Sequence, residues 1–200
     1  NVKIIGSHGG VTVGEDGATH QALEDIALMR SLPGMSVLCP CDHRETTEAV
    51  EAMLAHTGPV YLRTGRLTAQ SVTHTEGYRF VLGKGALLRQ GADAAIFACG
   101  TEVYEALQAA RLLAEEGVDA AVADMHTIKP LDEELVLAMA RRCGAVVTAE
   151  EHSVAGGLGD AVSDALLGAC PVPMERVGVR DAFGYSGSGP ELMSAFGLVA

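Results

Sequence analysis

Four side chains able to bind a polar ligand or move a proton fall in one short stretch, Gly6 to Gln21, which reads GSHGGVTVGEDGATHQ. His8 and His20 supply imidazoles, the side chains that titrate nearest neutral pH. Glu15 and Asp16 supply carboxylates, which accept hydrogen bonds from hydroxyls. The same stretch holds Gly6, Gly9, Gly10, Gly14 and Gly17. An apolar run, Val2-Lys3-Ile4-Ile5, leads into it, and a helical pattern from Thr19 to Leu32 leads out. Strand, glycine-rich loop and helix together leave a helix N-terminus open to an anion or a polar ligand. The competing reading of this composition is a solvated turn with Thr19 as helix cap.

The elements that would position these groups alternate along the chain. Pro33-Gly34 stops the first helix, and Met35 to Cys39 reads as a short buried strand. Asp42 with Glu45 makes a capping-box-like start for a helix from His43 to about His56, which Gly58-Pro59 ends. Val60 to Arg63 is the next strand. Strands alternating with helices predict right-handed crossovers and a parallel sheet. Residues Leu67 to Gly91 have weak periodicity and read as a linker with a β-hairpin around Arg79 to Leu82. From Asp93 the alternation is regular: strand Ala94 to Cys99, helix Glu102 to Glu116, strand Val118 to Met125, helix Asp132 to Arg142, strand Ala145 to Ala149, helix Asp160 to Leu167 and strand Met174 to Val179. The expected fold class is α/β, two units of mostly parallel sheet with helices on both faces, the first unit truncated at its N-terminus.

Sites in such sheets open beyond the carboxyl ends of the strands. His8, Asp16, His20 and Arg66 each follow an expected strand of the first unit or start the next helix, so they can share one mouth. Arginine presents a planar fork to phosphate oxygens. Arg63 is the rival to Arg66, and a surface arginine paired with an acidic neighbour is the alternative for either. Glu150, Glu151 and His152 form a second polar cluster, expected in a loop after a strand, where polar residues are routine. His74 and His126 read as solvated or capping. Gly184 to Gly189 lacks the G-x-G-x-x-G spacing and reads as a turn.

Composition excludes several classes. Lys+Arg 14 against Asp+Glu 26 gives a formal charge of −12, whose mean field repels phosphates, so neither nucleic acid nor an anionic membrane is an expected partner. A phosphorylated substrate then needs a local positive site. No apolar run approaches the roughly 18 residues of a membrane span. The five cysteines, Cys39, Cys41, Cys99, Cys143 and Cys170, are scattered and odd in number, which predicts free thiols and a cytoplasmic setting. Cys39-Pro40-Cys41-Asp42-His43 has its two cysteines too close for the usual structural zinc spacing, and no metal is expected there.

GEDGATHQALEDIALMRSLPGM, followed by Pro59-Val60-Tyr61-Leu62-Arg63-Thr64-Gly65-Arg66, resembles the transketolase family. So do Ile128-Lys129-Pro130-Leu131-Asp132 and Glu150-Glu151-His152-Ser153-Val154-Ala155-Gly156-Gly157-Leu158-Gly159. Several motifs in order are more specific than any one, although Ala18 replaces a proline common in the family. The resemblance implies transfer of a two-carbon ketol unit between sugar phosphates with thiamine diphosphate and Mg2+. It implies residues 1–75 as the C-terminal part of the pyrimidine-binding domain, 76–92 as a linker and 93–200 as the transketolase C-terminal domain. His8 and Arg66 match positions that hold the sugar phosphate. Asp16 and His20 match positions that bind its hydroxyls and carbonyl region, with His20 catalytic. For Glu150, Glu151 and His152 the resemblance implies an interface role. The activating glutamate and the magnesium-diphosphate motif are expected upstream of Asn1, in an N-terminal section with which this chain would form a homodimer or a split heterotetramer. The implied setting is cytoplasmic carbohydrate metabolism, the pentose phosphate pathway. 1-Deoxyxylulose-5-phosphate synthase and the 2-oxoacid dehydrogenase β subunit are alternatives on the same fold, and a non-catalytic assembly module is one of another class.

Overall fold

A computed structural model describes residues 1–74 and 77–200, and the expected boundary between residues 75 and 76 lies outside the described residues. Among those described, strands β1 (Lys3–Gly6), β2 (Ser36–Leu38) and β3 (Val60–Arg63) are joined by α1 (Asp25–Ser31) and α2 (His43–Ala55). They form a sheet in the order β1-β3-β2, all parallel. The second unit runs β4 (Ala86–Arg89), β5 (Ala94–Ala98), α3 (Glu102–Glu115), β6 (Ala120–Asp124), β7 (Thr127–Lys129), α4 (Glu133–Cys143), β8 (Val146–Ser153), α5 (Leu158–Ala169), β9 (Met174–Val179) and α6 (Gly189–Ala195). Its sheet has the order β4-β6-β5-β8-β9, parallel except for β4 against β6.

The period of two along β5 places a helix on each face. Ile96 and Ala98 pack with Val103, Ala106 and Ala110 of α3. Ala95 and Phe97 pack with Val136, Met139 and Ala140 of α4 and with Leu158, Val162 and Leu166 of α5. Ile26, Val37, Cys39 and Tyr61 of the first unit join that same cluster, so the two sheets share one core. Burial on both faces explains why these strands read as continuous apolar runs rather than as alternations.

The helix boundaries follow from caps. The Asp42 side chain accepts from the Glu45 amide at 2.9 Å and Asp132 accepts from the Leu135 amide at 3.2 Å, each satisfying a free donor of the first turn. Gly144, at φ 72°, closes α4 in the left-handed conformation. Glu133 and Glu134 in its first turn and Arg141 and Arg142 in its last complement the helix dipole.

Four sequence expectations are corrected, and one helix is added. The helix expected from Thr19 begins only at Asp25, because the Ala22 and Leu23 carbonyls accept from the amides of Gly10 and Ser153 instead. Arg79 to Leu82 forms no strand: the Phe80 amide donates to Glu48, and the strand within the expected linker is β4, paired with β6. The loop before Pro130 contains β7, which crosses to the first sheet and pairs antiparallel with β2. Strand β8 continues through Glu150, Glu151 and His152. After the glycine-rich turn stands α6, started by Ser188, whose amide and hydroxyl both donate to Glu191, and by Pro190. Ser188-x-x-Glu191 was the legible signal for that helix.

Candidate functional site

The parallel strands of the first sheet end together. Gly6 of β1 is in register with Arg63 of β3, and the Gly9 amide donates to the Thr64 carbonyl at 3.1 Å, so the loops carrying His8 and Arg66 run side by side. Between them Val11–Asp16 winds into a 3-10 turn broken at Gly14, φ 81°. The turn packs against α6 through Val11, Leu23, Leu192 and Met193. Gln21 ties the loop down, donating to the carbonyls of Val11, Gly14 and Tyr185 at 3.2, 3.2 and 3.0 Å.

Arg66 leaves the loop after β3 and reaches this turn. Its Nη1 donates to the Val13 carbonyl at 2.8 Å and to Asp16 Oδ2 at 2.7 Å. Both partners of the ion pair are partly solvated, so the arginine is held in place with its charge still open to the mouth. His8 and His20 are exposed; their Nδ1 atoms meet only chain neighbours, Ser7 Oγ and Thr19 Oγ1, each at 2.9 Å. His8 sits at φ 65°, a left-handed conformation uncommon outside glycine, though less so for histidine than for most residues. Asp16 and Arg66 thus touch, and no bond joins either histidine to them among the described residues.

A groove of about 480 Å³ opens beyond the strand ends of both sheets. One wall is Cys39 to His43 after β2 and Arg63 to Ala69 after β3; the other is Gly100, Thr101 and Glu151 of the second unit. Arg66 lines it and also lines an adjoining hollow with Val13 to Glu15 and Gly187 to Pro190.

Arg63, the rival of Arg66, is 4% exposed and belongs to the scaffold. Its Nε lies 3.0 Å from Asp25 Oδ2, a charge contact without hydrogen-bond alignment. Its Nη2 donates to the carbonyls of Glu151 at 2.8 Å and Ala22 at 3.2 Å. Burial pulls the guanidinium pKa down, but the negative groups around it, Asp25 foremost with Cys39 and Glu151, together more than offset this and raise it.

Glu150, Glu151 and His152 are buried within this chain, at 1%, 2% and 0% exposure. Glu150 accepts the amides of Leu158 and Gly159 at 2.7 and 2.8 Å, capping α5. Burial nevertheless pushes its carboxyl up to about 7. Glu151 spans the two units, accepting the Thr12 amide at 2.6 Å and the Thr101 hydroxyl at 2.8 Å. His152 Nδ1 donates to the Ser153 carbonyl at 2.7 Å and Nε2 accepts from the Ala27 amide at 3.4 Å, and burial lowers its pKa. His126, read as solvated or capping, is 1% exposed and stacks on Phe80 with centroids 4.2 Å apart.

Two family models cover the chain. The transketolase pyrimidine binding domain matches residues 1–71 and the transketolase C-terminal domain matches residues 83–200. The chain belongs to the transketolase family. The 6-deoxy-6-sulfo-D-fructose transketolase subunit SqwH of Clostridium sp. (strain MSTE9) is 49% identical over 200 residues, covering 100% of this chain and 62% of that protein. An apulose-4-phosphate transketolase subunit of Phocaeicola vulgatus is 42% identical over 198 residues, 99% of this chain and 63% of the relative. A split gene transketolase solved as an inactive beta4 tetramer superposes at TM-score 0.92 with 46% identity, covering 100% of this chain and 63% of that one. The chain therefore spans under two thirds of the length of these transketolase relatives. Among the described residues, no helix is long and apolar enough to cross a membrane.

Proposed function

We propose that this chain supplies the sugar-recognising part of a transketolase that transfers a two-carbon ketol unit between anionic sugars. The Arg66–Asp16 contact at 2.7 Å carries the reading, because it holds one cation and one hydroxyl acceptor side by side at the strand-end mouth. Arg66 takes the anionic end of the sugar, with His8 beside it. Asp16 accepts from a sugar hydroxyl, and His20 binds the carbonyl region and exchanges a proton there, as a general acid–base group worth roughly 10²–10⁴ in rate. Phosphate suits this site, and the 6-sulfo sugar named for one relative offers the same trigonal set of anionic oxygens. Residues 1–75 serve as the pyrimidine-binding part and 93–200 as the body of the C-terminal domain, with 76–92 as a linker whose β4 already joins the second sheet.

Thiamine diphosphate, when bound, supplies the electron sink for the two-carbon fragment. Its magnesium-diphosphate end does not fit the acids of this groove. Asp42 is saturated by the amides of Glu45, Val72 and Thr73 and the Thr73 hydroxyl, and Glu151 by Thr12 and Thr101. We assign that end and the activating glutamate to an N-terminal section, joined to this chain in a dimer or a split heterotetramer working in cytoplasmic sugar metabolism such as the pentose phosphate pathway. Two relatives that are themselves transketolase subunits, and a solved neighbour that is a split gene transketolase, support such a partnership.

Residues 1–200, given magnesium, thiamine diphosphate, a ketose phosphate and an aldose phosphate, should show no ketol transfer alone. Transfer should appear when the remainder of the parent polypeptide is supplied. Turnover by residues 1–200 alone would refute the division of labour, and no turnover in the reconstituted enzyme with any anionic ketose would refute the activity.

A further inference from the structure

A thiol and two carboxyls meet at one buried point away from the sugar mouth. One ligating atom each from Cys41, Glu45 and Asp124 lie within 4.8 Å of one another, and the residues are 4%, 0% and 0% exposed. Cys41 follows β2 and Glu45 stands in the first turn of α2, whereas Asp124 ends β6 of the other sheet. Glu45 Oε2 accepts the Cys41 amide at 2.6 Å, and Tyr78 donates its hydroxyl to the other oxygen. The Cys41 thiol donates to Asp124 Oδ2 at 3.4 Å.

Asp124 Oδ1 receives nothing, although it is fully buried. Among the described residues, no lysine or arginine forms an ion pair with either carboxyl. An acceptor buried without a donor costs free energy, and a second carboxyl at its side makes that cost larger. Three acidic groups in dry surroundings need protons or a cation between them.

We propose that Cys41, Glu45 and Asp124 form a binding site for a thiophilic divalent cation of the zinc class, bracing the first sheet against the second. A thiolate with two carboxylates disfavours magnesium and calcium, which take oxygen alone. Zinc accepts sulfur at about 2.3 Å and carboxylate oxygen at about 2.0–2.2 Å, so the three atoms close on one centre with small shifts. Binding displaces the thiol and carboxyl protons to solvent. Cys41 lines both the large groove and the adjoining one of about 280 Å³, which gives the ion an entry path. Cysteine spacing hid this site, because its third ligand is 83 residues from the first.

The complete polypeptide, stripped with a chelator, is titrated with Zn2+ against a chromophoric competitor and separately with Co2+. One zinc equivalent should bind, and cobalt should give a near-ultraviolet thiolate-to-metal band, which a magnesium-type oxygen site cannot give. C41S should abolish the band, and D124N should weaken zinc by at least about 10–100-fold, the loss seen even for outer-sphere partners. C170S should leave both unchanged. Should C41S fail to fold, the wild-type cobalt spectrum still decides. No band in the wild type, a band that survives in C41S, or zinc affinity unchanged in D124N would overturn the site, leaving carboxyls that share a proton.

Discussion

Glu151 Oε1 accepts the Thr12 amide at 2.6 Å, across 139 residues of chain. The contact fixes the glycine-rich loop of the first sheet to β8 of the second, and it is buried. It also explains the glycine two residues earlier: a Cβ on Gly10, at φ 91°, would stand 2.2 Å from the Glu151 carboxylate.

Removing that carboxylate should therefore be costly, and replacing it gently should not. E151A strands the Thr12 amide without an acceptor, a loss of about 1–3 kcal/mol. E151Q keeps an acceptor for Thr12 and offers a donor to the Thr101 hydroxyl. Denaturant unfolding should give a clearly lower midpoint for E151A and G10A than for E151Q. Equal midpoints for E151A and wild type would remove Glu151 from the scaffold of the loop.

Arg66 is expected to act on the substrate rather than on the fold. Its bridge to Asp16 is solvated, and such pairs contribute about 0–1 kcal/mol to stability, so R66A should unfold near the wild-type midpoint. In the complete enzyme R66A should mainly raise KM for phosphorylated or sulfonated ketoses, by a charge-assisted contact of about 1.5–3 kcal/mol present in ground and transition states alike. D16A should instead change the ranking of donors that differ at one hydroxyl. The same KM change in R66A for charged and uncharged sugars would rule out the anion assignment.

Periodicity and caps made the alternation legible: Asp42 and Asp132 mark helix starts where local chemistry alone decides them. What escaped was non-local. Strand β7 exists because Val37 and Leu38 offer it an edge, and nothing in Thr127-Ile128-Lys129 announces that partner. Glu150-Glu151-His152 reads as a polar loop, because three polar residues in a buried strand are tolerable only when backbone amides from elsewhere satisfy them. Asp16 and Arg66 were legible as neighbours from topology, since both follow parallel strands of one sheet. The burial of Arg63 was not, because its partner Asp25 lies on a helix that starts later than expected.

That Arg63–Asp25 pair gives the largest single-site effect expected here. Both side chains are nearly inaccessible, and Asp25 Oδ2 also accepts the Tyr61 hydroxyl at 2.6 Å. D25A leaves a buried guanidinium without its counter-charge, which costs on the order of 3–5 kcal/mol. Urea unfolding of D25A should show a loss of that size. A change under about 1 kcal/mol would mean that the carbonyls of Ala22 and Glu151 alone suffice for Arg63.

Glu150 should contribute stability that is lost as pH rises from about 4.5 to about 7. Its carboxyl is pushed up to about 7 by burial, with the Gly159 and Leu158 amides holding it partly down; in the unfolded chain it titrates near the ordinary 4.5. Between those values the folded chain keeps a proton that the unfolded chain has released. The unfolded state then binds fewer protons, so the stability contributed by neutral Glu150 is complete below about 4.5 and is lost as pH rises to about 7. The gap corresponds to about 3 kcal/mol. His152 and His126, both lowered by burial, act oppositely, costing stability as pH falls through the unfolded imidazole range near 6.5. Gln cannot titrate, so E150Q should lose the Glu150 part of the slope and keep the histidine part. Urea midpoints of wild type and E150Q measured from pH 5 to pH 8 should therefore change relative to each other, with E150Q gaining at the alkaline end. Parallel curves over that interval would show that Glu150 ionises alike in the folded and unfolded chain.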